Sequence, residues 1–124
     1  MINSSTTVIL IAGRIVLSVF FLLSGVTKIA RNKMMVDYAV SRKLPMPGAA
    51  IALAALIELA GGLSVLTGFY PRIAAAILVV YLIPTTLIFH NFWAAAGAEK
   101  QNEGVHFMKN VAIMGGLLIL ASIA

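Results

Sequence analysis

Four long apolar stretches restrict this chain to a membrane fold. They run from about residue 7 to 29, 48 to 69, 72 to 95 and 106 to 124. A helix needs about 20 mainly apolar residues to cross a bilayer. Lipid offers the backbone no hydrogen-bond partners, so each crossing segment has to be helical. The sequence therefore predicts one all-α domain over residues 1–124, a membrane four-helix bundle.

The composition excludes several classes of protein. Hydrophobic residues make up 61% of the chain and charged residues only 10%, whereas a water-soluble domain is about 25% charged. The absence of cysteine rules out disulfides, thiolate metal sites and iron–sulfur clusters. In so apolar a chain, the net charge of +5 indicates membrane orientation rather than nucleic-acid binding. The expected partner is the lipid bilayer.

The connections between the stretches indicate the topology. Residues 30–47 form the longest connection, and the moderately apolar run 34–40 inside it predicts a short interfacial helix. With four crossings, the first and third connections lie on one side of the membrane. Basic residues concentrate there, and the positive-inside rule puts that side in the cytoplasm and both termini in the periplasm. They are Lys28, Arg31, Lys33, Arg42, Lys43, Lys100 and Lys109.

One carboxylate lies where lipid should surround it. Glu58 is about ten residues from either end of its apolar stretch, so it must be protonated or paired. Arg14 lies roughly 10 Å below the outer end of the first stretch and is the expected partner. The pair could handle protons or bind a ligand, or it could fix the register of two helices.

A second group of polar residues is expected at the cytoplasmic end. Lys109 shares a helix face with a histidine three residues earlier, and Ser24 shares one with Lys28. Such donors suit a quinone head group, a lipid phosphate or a small acid. Alternatively, the lysines extend to the membrane surface and bind nothing. The predicted ligand-binding residues are Ser24, Lys28, His90, Asn91, His106, Lys109 and Asn110.

Metal and haem binding are less favoured. His90 and His106 are the only histidines, and two ligands do not complete a metal site. Neither histidine lies at the middle of the membrane, where a haem held between two helices would need it. We therefore predict no metal site.

In combination, several short segments resemble the DoxX family of small bacterial membrane proteins. The resemblance covers essentially the whole chain and implies a bacterial inner-membrane protein. Relatives are associated with quinone-linked sulfur oxidation, as the membrane subunit of thiosulfate:quinone oxidoreductase, and with complexes that handle oxidative stress. The family's polar positions correspond to Arg14, Lys28, Glu58, His90, Lys109 and Asn110. The segments are Gly13-Arg14-Ile15, Ser24-Gly25-Val26-Thr27-Lys28, Ile57-Glu58-Leu59-Ala60-Gly61-Gly62, His90-Asn91-Phe92-Trp93 and Lys109-Asn110.

Three functions remain open, because no soluble catalytic motif is present. The chain could be a quinone-associated component of a membrane oxidoreductase system, with electrons supplied by a cofactor or a soluble redox partner. It could be a non-catalytic scaffold that docks a soluble redox or stress-response enzyme. It could also be a small proton-coupled carrier. Small residues spaced four apart make a homo-oligomer plausible. The docking residues of the scaffold would be Arg31, Lys33, Arg42 and Lys43.

Overall fold

The computed structural model describes residues 3–123 and shows five α-helices, with no strand in that range. The helices are α1 (Ser4–Ala30), α2 (Asn32–Ser41), α3 (Pro47–Thr67), α4 (Pro71–Phe89) and α5 (Gly97–Ile123), and a 3-10 turn (Phe92–Ala94) separates the last two. All but α2 are long and apolar enough to cross a membrane. The all-α membrane bundle is confirmed, and α2 is the short helix predicted in the first connection.

Familiar sequence signals mark the ends of the helices. The Asn3 side chain accepts a 2.8 Å hydrogen bond from the Thr6 N–H and begins α1. Pro47 and Pro71 are the first residues of α3 and α4, where a missing N–H costs no helical hydrogen bond. Gly68, with φ +78°, ends α3 in the left-handed region that favours glycine.

The boundaries around the third connection differ from the prediction. Helix α4 ends at Phe89 instead of residue 95, and α5 begins at Gly97 instead of residue 106. Residues 96–105 are predicted as a connection because they are polar and include two glycines. Polarity determines the depth of a segment in the membrane, however, and not whether it is helical. Glu99, Lys100 and Gln101 are good helix formers, and Glu99 in the first turn also suits the helix dipole.

The long helices pack in the order α1, α3, α4, α5. Contacts are most extensive between α1 and α3 and between α4 and α5. Helices α1 and α3 run antiparallel, since Arg14 meets Val65 near one end and Ser24 meets Glu58 further along. The buried core joins all four helices. It consists of Phe21, Val65, Ala74, Ala75, Leu78, Leu82, Leu117 and Leu120.

Gly25 brings α1 and α3 unusually close together. A Cβ atom placed on Gly25 would lie 2.7 Å from Cγ of Leu59 and 3.3 Å from the backbone oxygen of Ala55. Only a residue without a side chain fits this contact without displacing α3. The close approach lies next to Ser24, so it also fixes the distance between Ser24 and the carboxylate that faces it from α3.

Helix α2 lies at the end of the bundle that carries residues 31–46 and 90–106, hereafter the α2 end. Ala39 is fully buried there, and α2 packs mainly on α3. The connection from α2 to α3 contains two left-handed residues other than glycine, Lys43 (φ 59°) and Met46 (φ 50°). Such a residue costs roughly 1–2 kcal/mol, so this connection is strained.

Candidate functional site

The buried carboxylate of Glu58 is fully engaged by two residues of α1. Lys28 Nζ lies 2.8 Å from Oε1. The Ser24 hydroxyl lies 3.0 Å from both carboxylate oxygens and donates to them, and it accepts a 2.9 Å hydrogen bond from Lys28. The Lys28 and Glu58 side chains are only 12% and 4% exposed. Helices α1 and α3 are thus joined by a buried ion pair with a shared hydroxyl.

The predicted pair between Arg14 and Glu58 is wrong. Arg14 Nε donates to the backbone oxygen of Val65 at 2.9 Å, and Nη2 donates to that of Leu66 at 3.3 Å. These oxygens belong to the last turn of α3 and have no helical partner of their own. Arg14 therefore satisfies the C-terminal end of α3, and Lys28 is the base that pairs with Glu58.

The direction of helical side chains explains this choice of partner. Side chains in a helix point toward its N-terminus. Because α1 and α3 are antiparallel, Lys28 points from the α2 end toward the middle of the bundle, whereas Glu58 points toward the α2 end. Arg14, like Lys28, points toward the far end of the bundle, and so it points away from Glu58. The register of the two helices separates them further, because Gly25 packs on Leu59 and Gly62 packs on Leu22, which puts Glu58 level with that part of α1.

A second buried carboxylate, Glu103 of α5, links α2 to α4 and α5. Its Oε2 lies 3.1 Å from Arg42 Nη2, and it accepts a 3.2 Å hydrogen bond from the Tyr38 hydroxyl. Tyr38 is also 2.8 Å from the backbone oxygen of Phe89, to which Arg42 Nε donates at 3.4 Å. His90 Nδ1 lies 3.5 Å from the same carboxylate oxygen.

Tyr38 of α2 and Arg42, which directly follows α2, both keep their protons. Burial, followed by the negative charge of Glu103, raises the pKa of Tyr38. Burial alone would lower the pKa of Arg42, but the hydrogen bond and charge of Glu103, with a contribution from Tyr38, outweigh it and raise the pKa. Tyr38 therefore remains a neutral donor and Arg42 remains a cation.

The other predicted ligand-binding residues form contacts of their own. The rings of His90 and His106 stack with centroids 5.1 Å apart, and Lys109 Nζ lies 3.4 Å from Nδ1 of His106. Because the rings meet face to face, their nitrogens do not aim at an iron held between them. Asn110 donates a 3.1 Å hydrogen bond to the buried Thr86 hydroxyl and so joins α5 to α4. Asn91 begins the 3-10 turn.

A cavity of about 310 Å³ lies between α2, α3 and α4. Lys28 and Tyr81 border it, and so does His90. Within residues 3–123 the buried Tyr81 hydroxyl makes no hydrogen bond of normal geometry, although the Glu58 carboxylate and the Thr85 hydroxyl lie close to it. His90 Nδ1 is also buried, and it lies 3.5 Å from the Glu103 carboxylate. The remaining walls are largely apolar. They comprise Met35, Tyr38, Leu44, Ala50, Ile51, Leu53, Ala54, Ile57, Pro84, Thr85, Ile88 and Phe89.

Sequence reasoning missed four residues of this region. Tyr81 could have been found, since it has a polar tip near the middle of a stretch without charges. Glu103 was overlooked because its segment was assigned to a connection. Tyr38 and Arg42 were placed in the first connection, and nothing in their spacing shows that α2 folds back onto α4 and α5.

Within residues 3–123, no three potential ligands from His, Cys, Asp and Glu come together as a metal site. The hydrogen-bond donors around Glu58 and around Glu103 are nitrogens and hydroxyls that face carboxylates, backbone oxygens or the cavity. Together they form an internal polar region, and the Tyr81 hydroxyl borders the cavity without a hydrogen bond of normal geometry within residues 3–123. That arrangement can bind an uncharged or anionic hydrogen-bond acceptor.

Comparison with known proteins agrees with this architecture. Inner membrane protein YphA of Escherichia coli K12 is 31% identical over 119 residues, which cover 96% of this chain and 85% of that protein. Inner membrane protein YqjF of the same strain is 32% identical over 114 residues, covering 90% and 80%. No solved structure matches the chain. The DoxX family model matches residues 9–91, a range that contains Arg14, Ser24, Lys28, Glu58 and His90, and the chain belongs to the DoxX family.

Proposed function

We propose that the protein is an integral inner-membrane component of an oxidoreductase system and binds a quinone in the cavity between α2, α3 and α4. The inner-membrane location is supported by the two relatives, each of which is an inner membrane protein. The proposed topology puts the α2 end in the cytoplasm and both termini in the periplasm, following the basic residues of the first and third connections.

The Tyr81 hydroxyl is the observation that supports a ligand of this type. A quinone carries carbonyl oxygens, which accept hydrogen bonds. The Tyr81 hydroxyl, which makes no hydrogen bond of normal geometry within residues 3–123, can donate one to such an oxygen, in competition with the nearby Glu58 carboxylate. Lys28 has three donors, of which two face Glu58 and Ser24, so a third remains for the cavity it borders.

The apolar walls suit the isoprenoid tail of a quinone. Ligand cavities are typically apolar, with a few polar groups that set orientation. Leu53 and Pro84 line the cavity and are also exposed on the outside of the bundle. Since this surface faces lipid in a membrane, a tail can leave the cavity sideways between α3 and α4.

We propose a soluble redox partner or a bound cofactor as the source of electrons. The exposed basic residues Arg31, Lys33 and Lys43 are the proposed docking surface at the α2 end. Arg42, which the sequence predicts as a docking residue, is left out of that surface because its guanidinium contacts Glu103 and Tyr38. A charge-reversed variant of the three exposed residues should lose the partner, whereas unchanged co-purification would contradict this docking surface.

Quinone binding can be tested with purified protein in mild detergent. Decylubiquinone should bind, and Tyr81→Phe should weaken binding about fivefold, the cost of one neutral hydrogen bond of about 1 kcal/mol. Tyr70→Phe is the matched control, because Tyr70 is exposed at the opposite end of the bundle, and it should bind like the parent protein. Absence of decylubiquinone binding, or equal affinity of Tyr81→Phe and the parent, would contradict the proposal.

A further inference from the structure

Helix α2 separates the cavity from the aqueous phase at its end of the bundle. Met35 and Tyr38 of α2, with Leu44 just after it, form part of the cavity wall. Leu53 and Pro84 also line the cavity, and both are exposed on the outer surface of the bundle, which faces lipid in a membrane. Any water-borne species that reaches a head group in the cavity from the α2 end must therefore pass α2.

The polar attachment of α2 to the other side of the cavity is narrow. Among residues 3–123, its side-chain hydrogen bonds to α4 and α5 come only from the Tyr38 hydroxyl and the Arg42 guanidinium, which reach the Phe89 oxygen and the Glu103 carboxylate. Arg42 and Glu103 do not line the cavity. Arg42 and Glu103 can therefore affect the cavity only by holding α2 in place.

The ends of α2 permit movement as a unit. Arg31 interrupts the helical backbone between α1 and α2 with φ −115° and ψ 44°. At the other end, the left-handed residues Lys43 and Met46 strain the connection to α3. The helix is therefore bounded by a break at each end, and the contacts of Tyr38 and Arg42 with Glu103 hold it against α5.

We propose that α2 is a gate between the cavity and the aqueous phase, and that Arg42 and Glu103 are positioning residues that keep it closed. Opening of the gate gives water, protons and the electron donor access to the head group, while the tail stays in lipid. The role of the gate rests on the proposed function. The movement itself is independent of any quinone and can be measured without one.

The lack of cysteine in the chain allows a direct test. Ile51 lines the cavity, is 2% exposed and lies about 6 Å from the start of α3. In Ile51→Cys protein reconstituted in nanodiscs, a charged methanethiosulfonate reagent should react slowly. Adding Arg42→Ala should raise that rate about tenfold, because the open state becomes more populated. Arg42→Lys, which keeps the cation, should restore the slow rate.

A second cysteine distinguishes gate opening from general loosening. Leu117→Cys lies fully buried in the core between the long helices, and its reaction rate should be the same with Arg42 or Ala at position 42. Equal rates for Ile51→Cys in the two backgrounds would overturn the gate. So would a parallel rise at Leu117→Cys. Failure of decylubiquinone to bind would overturn the proposed function and leave the labelling rates unaffected.

Discussion

The basic residues at the two ends of the bundle use their hydrogen-bond donors differently. At the α2 end, Lys28 and Arg42 pair with the buried carboxylates Glu58 and Glu103. At the opposite end, Arg14 donates to the backbone oxygens of the last turn of α3, and Arg72 donates 2.9 Å to that of Ala121 near the end of α5. Only the first pairs lie near the cavity between α2, α3 and α4.

The basic residues at the far end therefore stabilise helix ends, whereas those at the α2 end form ion pairs next to a site that can bind a ligand. A backbone oxygen at a helix end is fixed in place, and an arginine bound to it completes the helix. An ion pair between a carboxylate and a lysine is held by flexible side chains, so the lysine can reorient toward an acceptor on a ligand. We therefore expect changes at the α2 end to affect binding as well as stability, and changes at the opposite end to affect stability alone.

The largest effect should follow from loss of the Glu58 carboxylate. Glu58→Leu leaves the ammonium of Lys28 buried without its partner, which should lower the free energy of unfolding by about 3–5 kcal/mol. Unfolding in mixed detergent micelles, followed by circular dichroism, measures this loss. Little change in stability would show that the ion pair adds nothing to the bundle.

The matched double variant tests whether the pair also serves binding. Lys28→Met with Glu58→Leu removes both charges and should recover most of the stability, because a well-packed apolar pair can replace a buried ion pair. Decylubiquinone affinity should nevertheless stay low, since the donor of Lys28 is lost. Parental affinity in the double variant would mean that Lys28 has a structural role alone.

An intermediate effect is expected at the opposite end. Arg14→Met should destabilise the protein by about 1–2 kcal/mol, since it removes hydrogen bonds from a charged group to two backbone oxygens. Decylubiquinone affinity should be unchanged, which a binding titration alongside the unfolding measurement would check. A fall in affinity that matched that of the Lys28 variants would remove the distinction between the two ends.

The smallest effect should appear only at high pH. Because the pKa of Tyr38 is raised, its contribution to stability is fully present below the unfolded value of about 10 and is lost as the pH rises above it. The stability difference between the parent and Tyr38→Phe should shift against the parent above pH 10. Measured unfolding curves that run parallel from pH 8 to 11 would contradict this expectation.

Much of the fold could be predicted because lipid limits the possible structures. Long, mainly apolar runs indicate the crossing helices, and the run 34–40 indicates α2. The start of α5 was harder to place, since the polar residues 98–103 continue the helix beyond the apolar run. Hydropathy responds to where the membrane ends, whereas helix propensity and the Gly97 backbone determine where the helix begins.

Less of the site could be predicted, because it depends on directions and on distant contacts. Glu58 was identified from its unfavourable position alone. Its partner required the antiparallel arrangement and the register of α1 against α3, together with the tilt of side chains toward each helix N-terminus. The contacts of Arg42 and Tyr38 with Glu103 join residues 61 and 65 positions apart, and no periodicity in the sequence connects them.

The close approach at Gly25 has a consequence for how this molecule can change shape. With no side chain between them, α1 and α3 have little freedom to slide or separate, and the ion pair beside Gly25 ties them further. We expect them to be the more rigid half of the protein. A response to an occupant of the cavity should then be larger in α2 and α4, which is where spectroscopic labels should be placed to observe it.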